Sequence, residues 1–233
     1  MNDTMTTSRK KKKILPVGHY RGLGMWNILF LAFLYLPIVV LIAYSFNANR
    51  MVLIWNGFSL EWYAKAFSNE AIQDAVINSL IVATVATAFA TAIATIGALV
   101  LARGGSFKGK TMSLGLITLP LMVPEIVTAV AMLIFFAAIG MNWGLGNVII
   151  AHITFCIPFA FMPIRARLEG MDTTQEQAAR DLYATEWETF RYVTVPQLMP
   201  GIVAGSMLSF VISMDDFIIT LMVGGAGSTT LPV

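Results

Sequence analysis

Between Asp74 and Arg103 the chain reads AVINSLIVATVATAFATAIATIGALVLA, residues 75–102, with no Asp, Glu, Lys or Arg. Those 28 residues exceed the ~20 that carry a helix across a hydrocarbon core about 30 Å thick. The run is rich in Ala and Thr, and so small a helix surface packs against other helices rather than lipid alone. A second charge-free run of equal length, dense in Leu, Ile, Phe and Val, lies between Arg21 and Arg50. The composition agrees: of 233 residues, 57% are hydrophobic and 12% charged, whereas soluble domains carry about 25% charged residues. Mean hydropathy is +0.74. A disordered protein, a disulfide scaffold and an ordinary soluble enzyme are all excluded. Cys156, the one cysteine, forms no intramolecular disulfide and says nothing of redox compartment.

Three further apolar stretches complete an all-α integral membrane reading. The expected spans cover about 26–46, 75–102, 112–139, 147–164 and 198–223, in a membrane domain of residues 25–233 behind a basic tail, 1–24. The third carries Pro120, Pro124 and Glu125, and the fifth carries Asp215 and Asp216. A glycine-rich turn over 140–146 separates the third from the fourth. The expected fold is a polytopic helical bundle.

Orientation follows from Lys and Arg, which stay on the cytoplasmic side. The tail holds Arg9, Lys10, Lys11, Lys12, Lys13 and Arg21. Arg103, Lys108 and Lys110 follow the second span, and Arg165, Arg167, Arg180 and Arg191 follow the fourth. Those 13 of 15 basic residues share one side if there are five spans; Arg50 and Lys65 lie on the other. The N-terminus is therefore expected in the cytoplasm. The first apolar stretch is longer than the 7–15 residues of a signal core and lacks a small-x-small cleavage site, so it reads as an uncleaved span. Residues 10–13 read as a topology signal placed to meet anionic membrane lipid. A net charge of +2 gives no reason to expect nucleic acid.

Gly104-Gly105-Ser106-Phe107-Lys108-Gly109-Lys110-Thr111 matches the phosphate-loop pattern letter for letter. That loop works between a strand and a helix, with its amides around the phosphates. Here it joins two membrane helices, so it reads as a basic turn and the chain is not expected to hydrolyse ATP. No His/Cys/acid cluster has metal spacing, and no catalytic Ser/His/Asp set can be argued.

The segment 165–196 is too patterned for a linker. Asp172 or Thr173 can cap a helix start, and Ala178, Ala179 and Leu182 favour its continuation. Tyr183, Trp187 and Phe190 recur at helical spacing, as an aromatic stripe. That stripe either packs on the protein's own spans or docks into a groove on a soluble partner; the pattern leaves both open.

Glu176-Gln177-Ala178-Ala179-Arg180-Asp181-Leu182, followed by Val193-Thr194-Val195-Pro196, resembles the EAA loop of ABC-importer permeases. Nearly the whole chain shares the likeness, through Asn78-Ser79-Leu80, Pro120-Leu121-Met122-Val123-Pro124-Glu125, residues 151–158, Asp215-Asp216-Phe217 and Gly227-Ser228-Thr229-Thr230-Leu231-Pro232. Together these resemble the spermidine/putrescine branch. The resemblance implies an ABC-importer permease fold in which Glu176, Ala178 and Ala179 belong to a coupling helix docked on an ATP-hydrolysing subunit. It implies no cofactor on this chain, with ATP and Mg on that partner. A second permease subunit and an extracytoplasmic polyamine-binding protein are the other implied partners, at a bacterial inner membrane. The family pattern has glycine after Asp-Leu where this chain has Tyr183. Glycine permits a positive φ that Tyr resists, so the expectation here is a longer helix with an altered docking surface. Family members also continue into a sixth span, while this chain stops at Val233; the sequence is truncated or the protein ends one helix short.

Each acid in a span costs roughly 2.5–3.5 kcal/mol at a helix centre and needs a partner, a cavity or a function. Glu125 is expected about 20 Å from either end of its span, at about 1.5 Å per residue. Its candidate role, with Asp215 and Asp216, is a carboxylate path for a cation; the alternative is capping or pairing within broken helices. Asp215 and Asp216 point about 100° apart on a helix, so at most one faces a path. His152 reads as hydrogen-bonded to a neighbouring helix. The function expected is the permease subunit of an ATP-driven importer of a small organic cation, putrescine or spermidine. Its rivals are an ion-coupled secondary transporter using the intramembrane acids and a non-transporting truncated membrane protein.

Overall fold

The structure, a computed structural model, describes residues 21–51 and 54–233. The expectations for Arg9 and residues 10–13 lie outside the described residues. The chain forms two compact units, one up to Phe67 and one from Ser68.

In the first unit α1 (Arg21–Ser45) is the first expected span. Its residues 22–43 are all exposed, as suits a helix whose solvent is lipid. The turn after it is organised by Asn47, which is buried and donates through Nδ2 to the Ile54 carbonyl at 2.7 Å. Its Oδ1 accepts the amides of Asn49 and Asn56. Phe46 stacks on Phe58 and on Tyr63 of α2 (Glu61–Ser68).

The second unit is built on α3 (Glu70–Arg103), α6 (Leu145–Glu169) and α9 (Val195–Asp215), which pack on one another. Asn69 caps α3 by accepting the Ala71 amide, and Glu70 and Arg103 complement its dipole at either end. Its buried face is mostly alanine: Ala83, Ala86, Ala90, Ala94 and Ala98 recur every third or fourth residue. That stripe lets neighbouring backbones approach closely, as small residues do between membrane helices. α6 and α9 approach closely: a Cβ on Gly205 would fall 2.7 Å from the Ala160 carbonyl oxygen. Ser209 Oγ donates to the Cys156 carbonyl at 3.3 Å, and Cys156 Sγ donates to the Ser209 carbonyl at 3.6 Å.

The third expected span is broken. Lys110–Leu121, comprising α4 (Lys110–Thr118) and one 3-10 turn, meets α5 (Glu125–Ala138) at an angle of 106°. Pro124 has no amide to continue a helical ladder and disfavours helical geometry at the residue before it. The fifth span also departs from expectation. Its helix starts at Glu186, not near 198, runs to Asp215 and breaks before α10 (Ile218–Val223). Phe190–Thr194 is a π-helical turn, just before Pro196, whose missing N–H leaves the Tyr192 carbonyl without its usual partner. The described residues thus hold four helices apolar and long enough to span a membrane, or five if the bent pair is one span.

Candidate functional site

The acids lie at the breaks. Glu125 is the first residue of α5, not the middle of a span, because Pro124 starts a new helix there. A carboxylate in a first turn complements the helix dipole. Asp215 ends α9 and is exposed, whereas Asp216 is buried in the gap before α10. The carboxylate of Asp216 accepts the amides of Ile219 and Thr220 and so caps α10. The two breaks face each other, because α5 packs on α10 and brings the Glu125 carboxyl near that of Asp216.

His152 of α6 completes this cluster and is fully buried. Its Nδ1 lies 2.8 Å from Ser213 Oγ, and its Nε2 lies 3.0 Å from Thr220 Oγ1 and 3.2 Å from Asp216 Oδ2. The sequence reading foresaw a hydrogen-bonded His152 but missed Asp216 as the acid it holds. Its available signal was an imidazole and an acid among the few ionisable groups in the spans. Ser213 and Thr220, one turn to either side of Asp216, carried the rest. Buried polar groups in a membrane must find such partners.

The second cluster is the loop after α6. α7 (Thr174–Asp181) starts where Asp172 Oδ1 accepts both the amide and the hydroxyl of Thr174. Those bonds hold the Asp172 carboxyl below its usual range. The expected longer helix through Tyr183 does not form. Tyr183 adopts φ 63°, while its amide bonds the Arg180 carbonyl and the Ala184 amide bonds that of Ala179. This is a Schellman ending with tyrosine where glycine is usual. The aromatic stripe is accordingly split. Tyr183, 96% exposed, and Leu182 project from the turn, while Trp187 of α8 (Glu186–Thr189) packs on Phe190 with ring centroids 5.7 Å apart. Ala178 is exposed and Ala179 half-buried.

Glu176 points inward. Its Oε1 accepts the Thr194 hydroxyl at 3.0 Å and pairs with Arg103 Nη2 at 3.4 Å. Gln197 Nε2 donates to Gln175 Oε1, and Arg167 Nε to the Gln197 carbonyl. The loop is thereby tied to the ends of α3, α6 and α9. Arg103 and Thr194 were not foreseen as its partners, since the three lie far apart in sequence.

Helices broken at a half-buried Glu125 and a buried Asp216, and a polar loop bonded to the ends of several spans, mark a polytopic membrane protein of the permease class. The chain belongs to the family described as binding-protein-dependent transport system inner membrane component, whose model matches residues 94–233. It is 38% identical over 218 residues to the putrescine transport system permease protein PotI of Escherichia coli K12, covering 89% of this chain and 78% of that one. It is 38% identical over 202 residues to the spermidine/putrescine transport system permease protein PotC of Haemophilus influenzae, covering 87% and 78%. A bacterial ABC transporter involved in import of the acidic polysaccharide alginate shares the fold, with TM-score 0.69 at 16% identity over 91% of this chain and 77% of that one.

Proposed function

We propose that this chain is the permease subunit of an ATP-driven importer that passes putrescine or spermidine into the cytoplasm. One observation carries the cation chemistry: Glu125, half-buried, stands where two broken helices meet, and it is not engaged by His152. Broken helices line substrate sites in other transporters, because their loose ends supply polar groups at membrane depth. The names of PotI and PotC narrow the cation to a polyamine.

The N-terminus lies in the cytoplasm, consistent with the placement of Lys and Arg. Residues 174–194 then face a separate ATP-hydrolysing subunit, which carries ATP and Mg, with Leu182, Tyr183 and Trp187 presented to it. ATP binding there moves α7. That motion passes through Glu176 to Arg103 on α3 and to Thr194 below α9. A second permease subunit supplies the other half of the path, and an extracytoplasmic binding protein delivers substrate.

The test is uptake of labelled putrescine and spermidine into vesicles holding the purified complex. Uptake should need ATP inside the cytoplasmic-facing compartment and a co-purifying ATPase subunit. Uptake that persists without ATP and collapses with a proton uncoupler would establish the secondary transporter instead.

A further inference from the structure

We propose that a phosphate group binds between the ends of α3, α4 and α6, in a cavity of about 460 Å³. Arg103 closes α3, Lys110 opens α4 and Arg165 lies in the last turns of α6, and all three line the cavity. Glu169 is the single acid in the lining, so the pocket carries a net charge of +2. Each cation already makes one bond: Arg165 Nε to Glu169 at 2.7 Å, Arg103 Nη2 to Glu176 at 3.4 Å, and Lys110 Nζ to the Gly105 carbonyl at 2.9 Å. A guanidinium has five N–H donors and an ammonium three, so most of the donors remain for a ligand. Thr111 also lines the cavity, and α4 begins there with no side-chain cap; the Lys110 amide bonds the Phe107 carbonyl, which leaves the Thr111 and Met112 amides for a ligand.

Donors arriving from three helices suit a tetrahedral oxyanion, and Arg binds phosphate in bidentate fashion. Leu101, Leu114 and Leu168 line the same cavity as the basic residues. That combination fits a lipid headgroup, whose glycerol end would meet the leucines; a soluble phosphate would use the basic residues alone. The phosphate-loop-like stretch contributes Lys110 and Thr111 only. Its glycines take φ 68° at Gly105 and 92° at Gly109, which fold Lys110 back on its own turn. The inference rests on the proposed orientation, which puts these helix ends at the cytoplasmic leaflet, where anionic lipids attract basic pockets. Arg103 also holds Glu176, so an occupied pocket draws on the guanidinium that ties the coupling loop to α3.

The assembled complex is placed in phosphatidylcholine bilayers with or without phosphatidylglycerol, and retained lipid is counted by native mass spectrometry. Phosphatidylglycerol should be retained selectively, and Lys110→Gln combined with Arg165→Gln should lower that retention roughly tenfold or more. The single Lys110→Gln, a milder change, should lower it in the same direction if the double variant does not assemble. In a second arm inorganic phosphate is titrated against the wild-type complex in phosphatidylcholine and followed by ³¹P line broadening. Saturable broadening that Lys110→Gln removes, without lipid selectivity, assigns the site to soluble phosphate. Lipid selectivity unchanged by both variants, together with no saturable broadening, overturns the proposal. Both readouts are binding measurements, so a failure of polyamine uptake leaves them standing.

Discussion

His152 Nε2 lies 3.2 Å from Asp216 Oδ2, and both side chains are sealed from solvent. The pair joins α6 to the break between α9 and α10, and the same carboxylate caps α10. Removing one partner of a buried hydrogen bond leaves an unsatisfied polar group and costs about 1–3 kcal/mol. His152→Ala should therefore lower the thermal midpoint of the purified protein. Asp216→Asn, which keeps an acceptor, should be milder. A His152→Ala protein as stable as wild type would show that the pair carries no structural weight.

Glu125→Gln keeps the shape and removes the ionisable carboxyl at the α5 break. A hydrogen bond to a charged group contributes about 1.5–3 kcal/mol, so polyamine uptake should fall about tenfold or more at normal assembly. Uptake rates in vesicles check this, and an unchanged rate would remove Glu125 from the path.

Tyr183 holds a left-handed conformation that costs a non-glycine residue about 1–2 kcal/mol. Tyr183→Gly should keep or strengthen the ending of α7, and Tyr183→Val should weaken it. Hydrogen-exchange protection of the Tyr183 and Ala184 amides, which close the motif, reads out both.

Gly205 leaves no space for a larger side chain, since its Cβ would sit 2.7 Å from the backbone of Ala160. Gly205→Ala should force α9 away from α6 at about 1–3 kcal/mol, and Gly205→Leu should prevent assembly. Gly115, whose Cβ would meet nothing within 4 Å, is the control: Gly115→Ala should be harmless. Size-exclusion profiles and thermal melts distinguish them.

The Asp172 cap supplies a pH test. Thr174 holds the carboxyl below its ordinary 3.8, so the ionised form is favoured in the folded chain. Its contribution is complete above the unfolded value and is lost as pH falls through the lower folded value. Protection of the first amides of α7 should hold from pH 7 to pH 5 and drop only below about 3.8. Asp172→Asn should remove that dependence while retaining an acceptor.

Much of this architecture is already legible along the chain. Runs without charge mark the spans, because a helix needs only about 20 apolar residues to satisfy the bilayer, whatever its neighbours. The helical loop after α6 could be located from Asp172 and the Glu176-Gln177-Ala178-Ala179 segment, where capping and helix formation are local effects. Breaks were only half legible. Pro120 and Pro124 announced an irregular third span, but not that it bends by 106° and sets Glu125 at a helix start. Asp215 and Asp216 could be told apart only in part, because their burial depends on α6 supplying His152.

The sequence by itself determined that this chain is a multi-span helical membrane protein, and which acids had to be accounted for. Tertiary structure alone decided their partners. Asp216 takes His152 from 64 residues away, Glu176 takes Arg103 from 73 residues away, and Ser79 accepts the Leu231 amide across 152. Hydropathy and capping are properties of neighbouring residues and can be read in order. A buried polar group is satisfied by whatever the packing of helices brings within hydrogen-bonding reach, and linear order does not carry that distance.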